Sequence, residues 1–241
     1  TCGSCYYCRS GSENLCENAK FTGYHVNGGY AEFTTVPEAF AYILPDNFKS
    51  TDAAPLLCAG IIGYRALRIS GIKPGERLGL FGFGASAHLV IQVAVHWNCE
   101  VYVFTRSAAH QKLAKSLGAS WVGQVSDTPP SNIDAGIIFA PAGNIVLDAL
   151  RILRKGGTLA LAGIYMTPIP SIDYNKYLYY ERTLRSVTAS TRQDGIAFLK
   201  LANEIPIRTS TSRFELRDAN RALQLLKARK LEGAGVLEIE H

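Results

Sequence analysis

Long apolar runs are missing from this chain of 241 residues. The longest, such as residues 159–164, are of strand length and are broken by glycine, which argues against a membrane-spanning helix. Blocks of like charge are missing as well. The 25 basic and 20 acidic side chains are dispersed, and their net charge of +5 suits an anionic cofactor better than a nucleic-acid groove. Neither a membrane nor a nucleic acid is therefore expected as a partner. These 241 residues show no signal peptide, internal repeat or low-complexity stretch, and a reducing, cytoplasmic setting is expected for the cysteines. Methionine occurs once, at Met166, and the chain opens on Thr1, so a fragment or a processed product is expected. What remains is an ordinary globular composition, 47% hydrophobic and 19% charged, enough for one large or two modest cores.

Against this background four cysteines crowd the start of the chain. Cys2, Cys5, Cys8 and Cys16 follow the spacing C-x2-C-x2-C-x7-C. Zinc in a closed site takes four soft ligands in a tetrahedron, and C-x2-C steps let neighbouring thiolates share the ion. Two disulfides are the alternative, but two such steps sharing Cys5 cannot all close into relaxed bridges. A nucleic-acid-binding finger would place basic and aromatic residues after the ligands. Here Glu13, Asn14, Glu17 and Asn18 surround Cys16, which favours a structural metal lobe.

From residue 75 onward short apolar strands alternate with helical stretches. Strands are expected at 77–81, 101–105, near Trp121 and Val122, at 135–139 and at 158–162; helices are expected at 86–97, 108–117 and 144–154. Continuously apolar strands separated by helices mean a parallel sheet covered on both faces, a doubly wound α/β domain. Before it, 30–36 is expected as a β-strand and 52–70 as a helix. After it come a charged helix at 217–230 and a strand at 235–239.

At the end of the first strand of this series, Gly82, Gly84 and Ala87 match G-x-G-x-x-G/A. Gly82 permits the tight turn, Gly84 lets backbone approach a pyrophosphate, and Ala87 lets the helix pack on the strand. The helix amino terminus then faces the phosphates. An acidic residue at the end of the second strand would accept from the ribose hydroxyls of NAD. This chain has Thr105 and Arg106 there, and arginine can pair with a 2′-phosphate, which leans the expectation toward NADP over NAD.

Taken in order, these pieces resemble the zinc-dependent medium-chain alcohol dehydrogenases. The resemblance rests on the four-cysteine lobe and the segment Gly28-Gly29-Tyr30-Ala31-Glu32. It also rests on Pro55-Leu56-Leu57-Cys58-Ala59-Gly60 with Tyr64, the Lys73-Pro74-Gly75 turn, the dinucleotide loop and Gly156-Gly157. It implies a Rossmann sheet joined to a remnant of a GroES-like β domain, in a carboxy-terminal part that lacks the amino-terminal catalytic segment. The implied boundaries are 1–48 for the lobe-bearing remnant, 49–188 for the dinucleotide domain and 189–241 for a return to the catalytic domain. Cys2, Cys5, Cys8 and Cys16 are implied as structural zinc ligands. Cys58 falls on a ligand of a catalytic zinc, in a site left incomplete because His25, His88, His96, His110 and His241 lie in no matching segment. Ala140 and Gly163, at the ends of later strands, are implied on the nicotinamide side. The implied reaction is hydride transfer between NAD(P) and a small alcohol or aldehyde, in a homodimer. The alternative is a dinucleotide-binding or interaction protein of the same ancestry without chemistry.

Overall fold

The structure, a computed structural model, describes residues 1–228, 230–231 and 233–239. His241, and Arg229 within the expected last helix, lie outside the described residues. In chain order the helices are α1 (Tyr6–Arg9), α2 (Ser50–Ala53), α3 (Ala59–Ser70), α4 (Ala85–His96), α5 (Ala108–Ser116), α6 (Ile145–Ile152), α7 (Tyr174–Tyr177), α8 (Arg192–Glu204) and α9 (Ala219–Lys227). The strands are β1 (Arg77–Phe81), β2 (Glu100–Phe104), β3 (Trp121–Gly123), β4 (Ile133–Ile138), β5 (Leu153–Leu161), β6 (Thr183–Ser186), β7 (Thr211–Glu215) and β8 (Ala234–Glu238). Two compact units emerge, Ile62–Thr188 and a second made of Thr1–Ile61 with Ala189–His241.

The unit 62–188 holds a six-stranded, wholly parallel sheet in the order β3-β2-β1-β4-β5-β6. The order reverses between β1 and β4, and ligands of open α/β sheets bind at such a switch point, beyond the carboxyl ends of the strands. Leu78, Leu80 and Phe81 of β1 and Val101, Tyr102, Val103 and Phe104 of β2 are buried, as burial on both faces requires. Phe81 stacks on Phe104 at 4.4 Å between ring centroids, and Trp121 extends the stack at 5.0 Å from Phe104. The fully buried Phe81 and Phe104 rings each contribute roughly 2–3 kcal/mol of burial energy.

The other unit is assembled from both ends of the chain. Strands β7 and β8 pair in parallel, joined by a 3-10 turn at Leu216–Asp218 and α9. Helix α8 opens with a reciprocal cap: Thr191 Oγ1 accepts from the Asp194 backbone N–H, and Asp194 Oδ2 accepts from the Thr191 backbone N–H.

Two expectations fail here for local reasons. Residues 30–36 form no strand among the described residues; Tyr30 and Phe33 are exposed, and no neighbouring strand offers them a ladder. The helix expected over 52–70 is broken into α2, a 3-10 turn at Ala54–Leu57 and α3, with Cys58 at φ −120° and ψ −75° between the last two. Pro55 supplies no N–H and tightens that turn.

Candidate functional site

Helix α1 begins just after Cys5 and contains Cys8, and the 3-10 turn at Glu13–Leu15 ends on Cys16, so two short elements carry three of the four thiols. The four Sγ atoms lie within 4.8 Å of one another. Cys2 Sγ and Cys8 Sγ stand 3.9 Å apart. A zinc–sulfur bond of about 2.3 Å gives a tetrahedron edge of about 3.8 Å, so the cluster fits a structural zinc. All four thiols are free of disulfides. The Ser4 hydroxyl, then its backbone N–H, hold the Cys2 thiol down at about 5, whereas desolvation pushes Cys8 up to about 11. The Cys8 backbone N–H, and after it that of Glu17, lower the Cys5 thiol as well. Cys2, Cys5, Cys8 and Cys16 would hold a divalent ion, whose charge would favour the thiolate form of all four.

Glu13, inside the loop between Cys8 and Cys16, is buried, and its Oε1 accepts from the Arg192 backbone N–H at 2.7 Å. Arg192 Nε lies 4.0 Å from the same oxygen, and the guanidinium also faces the Phe40 ring at 5.3 Å. The metal lobe is thereby fastened to the first turn of α8, where a carboxylate also complements the helix dipole.

In the unit 62–188 the glycine turn follows β1. Gly82 has φ +89°, and a Cβ built there would meet the Ala140 nitrogen at 3.0 Å, so this turn and the end of β4 close on each other. Gly84 is the N-cap of α4 with no side-chain cap, and nothing lies within 4 Å of where its Cβ would stand. The helix N–H groups are therefore open to an anion, and Ala87 is fully buried beneath them. These residues fit a dinucleotide pyrophosphate. His88, one residue on, is buried, and burial lowers its pKa; its Nδ1 stands 3.4 Å from the Gly84 carbonyl.

Thr105 is buried and locked, its N–H donating to the Gly123 carbonyl at 2.8 Å and its carbonyl accepting from Gln111 Nε2 at 2.9 Å. Arg106 is exposed. Ser107 caps α5 by accepting from the His110 N–H at 3.3 Å, and the His110 ring meets the Phe83 ring of the glycine turn edge to face at 6.5 Å. Gly163 follows β5, with the Tyr165 carbonyl oxygen 2.9 Å from where its Cβ would stand.

Cys58 is exposed. Among the described residues the four-cysteine cluster is the one group of three or more metal-ligating side chains, so the residues around Cys58 do not fit a catalytic zinc.

Two family models match this chain: Zinc-binding dehydrogenase over residues 87–204 and Alcohol dehydrogenase GroES-like domain over residues 1–46. The probable alcohol dehydrogenase AdhA of Mycobacterium tuberculosis (strain CDC 1551 / Oshkosh) is 51% identical over 239 residues, 99% of this chain and 69% of that relative. The chain belongs to the zinc-binding alcohol dehydrogenase family. An alcohol dehydrogenase of Geobacillus stearothermophilus is 30% identical over 247 residues, covering 99% of this chain and 73% of its own. The alcohol dehydrogenase of the hyperthermophilic archaeon Aeropyrum pernix, at 22% identity, shares the fold with a TM-score of 0.85 over 97% of this chain and 72% of that one.

The match over residues 1–46 corrects two expectations. This alcohol dehydrogenase carries its GroES-like domain in that stretch, where the resemblance implied a mere remnant and a missing segment. Its fold is a doubly wound Rossmann sheet with an amino-terminal zinc-binding lobe. The expectation of a remnant rested on finding no match for the family's catalytic histidine and its partners, whereas residues 1–46 themselves match the GroES-like domain. Sequence reasoning also passed over two residues. Glu13 counted only as evidence against a basic finger, and its acid next to a ligand gave no hint of a partner near the far end of the chain. His110 entered only as a histidine in no matching segment, and its ring contact with Phe83 leaves no local pattern in the sequence.

Proposed function

We propose that this zinc alcohol dehydrogenase binds NADP in preference to NAD and exchanges hydride with a small alcohol or aldehyde. The observation that carries the reading is the glycine turn at the β1/β4 switch point, with Gly82 closed against Ala140 and Gly84 open to solvent above an uncapped helix. When bound, the nicotinamide supplies the hydride acceptor or donor. Gly82, Gly84 and Ala87 admit the pyrophosphate to the start of α4. Thr105 and Arg106 meet the adenosine ribose, with Arg106 pairing a 2′-phosphate. Ala140 and Gly163, small residues following β4 and β5, leave room for the ring over the backbone. Cys2, Cys5, Cys8 and Cys16 hold a structural zinc, which keeps the thiols in the reduced, zinc-bound state suited to the cytoplasm. A homodimer through the outer strand β6 is consistent with its unpaired edge in the sheet.

Cys58 offers a second zinc one ligand, and one thiol does not make a four-coordinate site. This favours, as a second reading, cofactor binding without alcohol turnover by this chain. Titration of NADPH and NADH by nicotinamide fluorescence, followed by a screen of alcohols and aldehydes, separates the two. Binding with turnover supports the first reading, binding without turnover the second, and absence of binding refutes both.

A further inference from the structure

We infer that Cys2 and Cys8 form a peroxide-sensitive modification site, and that closing a disulfide between them releases Glu13 from the first turn of α8. The inference goes beyond the dehydrogenase reading and does not depend on the nicotinamide cofactor; it rests on the structural zinc of the lobe.

The lobe has little besides its thiols to hold it. Among residues 1–31 the buried side chains are Glu13, Asn14 and Cys16, and no aliphatic or aromatic side chain joins them. Helix α1 buries none of its four residues. Order therefore comes from the thiol cluster, from turns such as the Ser12 N–H donating to the Tyr7 carbonyl at 2.8 Å, and from the hold of Glu13 on α8.

Exposure then singles out where an oxidant arrives. Cys2 is the one exposed thiol of the four, and the half-buried Cys8 sulfur stands 3.9 Å from it, whereas Cys16 is buried. Solvent-accessible cysteines beside a second thiol are the ones that peroxide converts to disulfides. The Cys2 sulfur attacks one oxygen of hydrogen peroxide; the O–O bond breaks, hydroxide leaves, and a sulfenic acid remains on Cys2. The Cys8 sulfur then attacks the Cys2 sulfur, the S–O bond breaks, and the hydroxyl departs as water. Two sulfurs have given up two electrons, and the peroxide has become two waters after proton uptake from solvent.

Cys5 and Cys16 are then the remaining ligands, and two thiolates do not make a closed zinc site. The loop 9–15, bracketed by Cys8 and Cys16, is no longer tied at both ends. Glu13 lies inside that loop, so its 2.7 Å bond from the Arg192 N–H is lost with the tie. The reciprocal cap of Thr191 and Asp194 lies wholly within 191–194 and stays intact, which confines the effect to the start of α8.

The test treats the full, zinc-loaded chain with hydrogen peroxide. A chromophoric chelator follows zinc release, peptide mass spectrometry locates the disulfide, and amide exchange by NMR reads α8. Expected are about one zinc released for about one equivalent of peroxide, a Cys2–Cys8 bridge, and exchange about tenfold faster at Arg192 but within about twofold at Phe198 and Leu199. A thiol reductant with added zinc should reverse all three. Glu13→Ala should release zinc equally, with its Arg192 amide already fast and unmoved by peroxide. Zinc retained under excess peroxide, or oxidation at Cys58 while the lobe thiols stay reduced, overturns the modification site. Zinc release with unchanged Arg192 exchange overturns the relay through Glu13. Untreated protein that holds no zinc overturns the structural-zinc reading and this inference with it.

Discussion

Replacing Glu13 with alanine should loosen α8 while leaving the zinc ligands in place. Glu13 Oε1 receives the Arg192 N–H at 2.7 Å, a bond from a first-turn helix donor to a charged acceptor. Such bonds are worth roughly 1.5–3 kcal/mol, and a carboxylate at a helix amino terminus adds about 0.5 kcal/mol. The Arg192 guanidinium at 4.0 Å is part-exposed, so its pairing adds no more than a few tenths. Arg192 is itself only half-buried, and water reaching its N–H offsets part of the loss. The expected net cost is about 2 kcal/mol for Glu13→Ala and about 1 kcal/mol for Glu13→Gln, which keeps an acceptor oxygen. Urea unfolding measures the total, and amide exchange of the zinc-loaded protein measures the first turn of α8. The reasoning is refuted if Glu13→Ala unfolds within about 0.5 kcal/mol of wild type, or if the Arg192 amide keeps its protection.

The purified protein should contain about one zinc per chain by elemental analysis, and chelation should release four fast-reacting thiols while buried Cys99 stays slow; about two zincs per chain would mean that Cys58 had found further ligands. Gly82→Ala should abolish dinucleotide binding and destabilise the protein by about 1–3 kcal/mol, because φ +89° strains an L residue and its Cβ would press on Ala140; unchanged NADPH titration would contradict this. His88 is held neutral by burial, with its pKa below the ordinary histidine value of 6.5, so the unfolded chain takes up the proton first as pH falls. Its contribution to stability is complete above that value and is lost as pH drops below it; His88→Gln should flatten the slope of urea midpoint against pH in that window, and an unaltered slope would place the titration elsewhere.

Much of the chemistry was legible because it is local. The thiols of Cys2, Cys5, Cys8 and Cys16 had to lie close, since short C-x2-C steps leave the backbone little room to separate them. The glycine turn announced itself because a strand, two glycines and a helix start are contiguous, and positive φ at Gly82 is a requirement on one residue. Strands β1, β2 and β4 could be read because burial on both faces makes them apolar at nearly every position, with Arg77, Glu100 and Asp134 only at or near their starts. The expected strand at 30–36 failed because a strand needs a partner ladder, and alternation along one segment says nothing about its neighbour. Helix 52–70 was overread because spacing of apolar residues survives a break such as the one Pro55 makes.

By itself the sequence determined the parallel sheet, the glycine turn and the four-thiol cluster, all set by the chain's own covalent spacing or by the pattern of its burial. Tertiary structure alone decided that Glu13 fastens the metal lobe to α8, that Phe83 of the glycine turn meets the His110 ring, and that Gly82 closes on Ala140. These contacts join residues distant in the chain, so no local pattern records them. They exist only once the sheet and the helix ends have brought their backbones together.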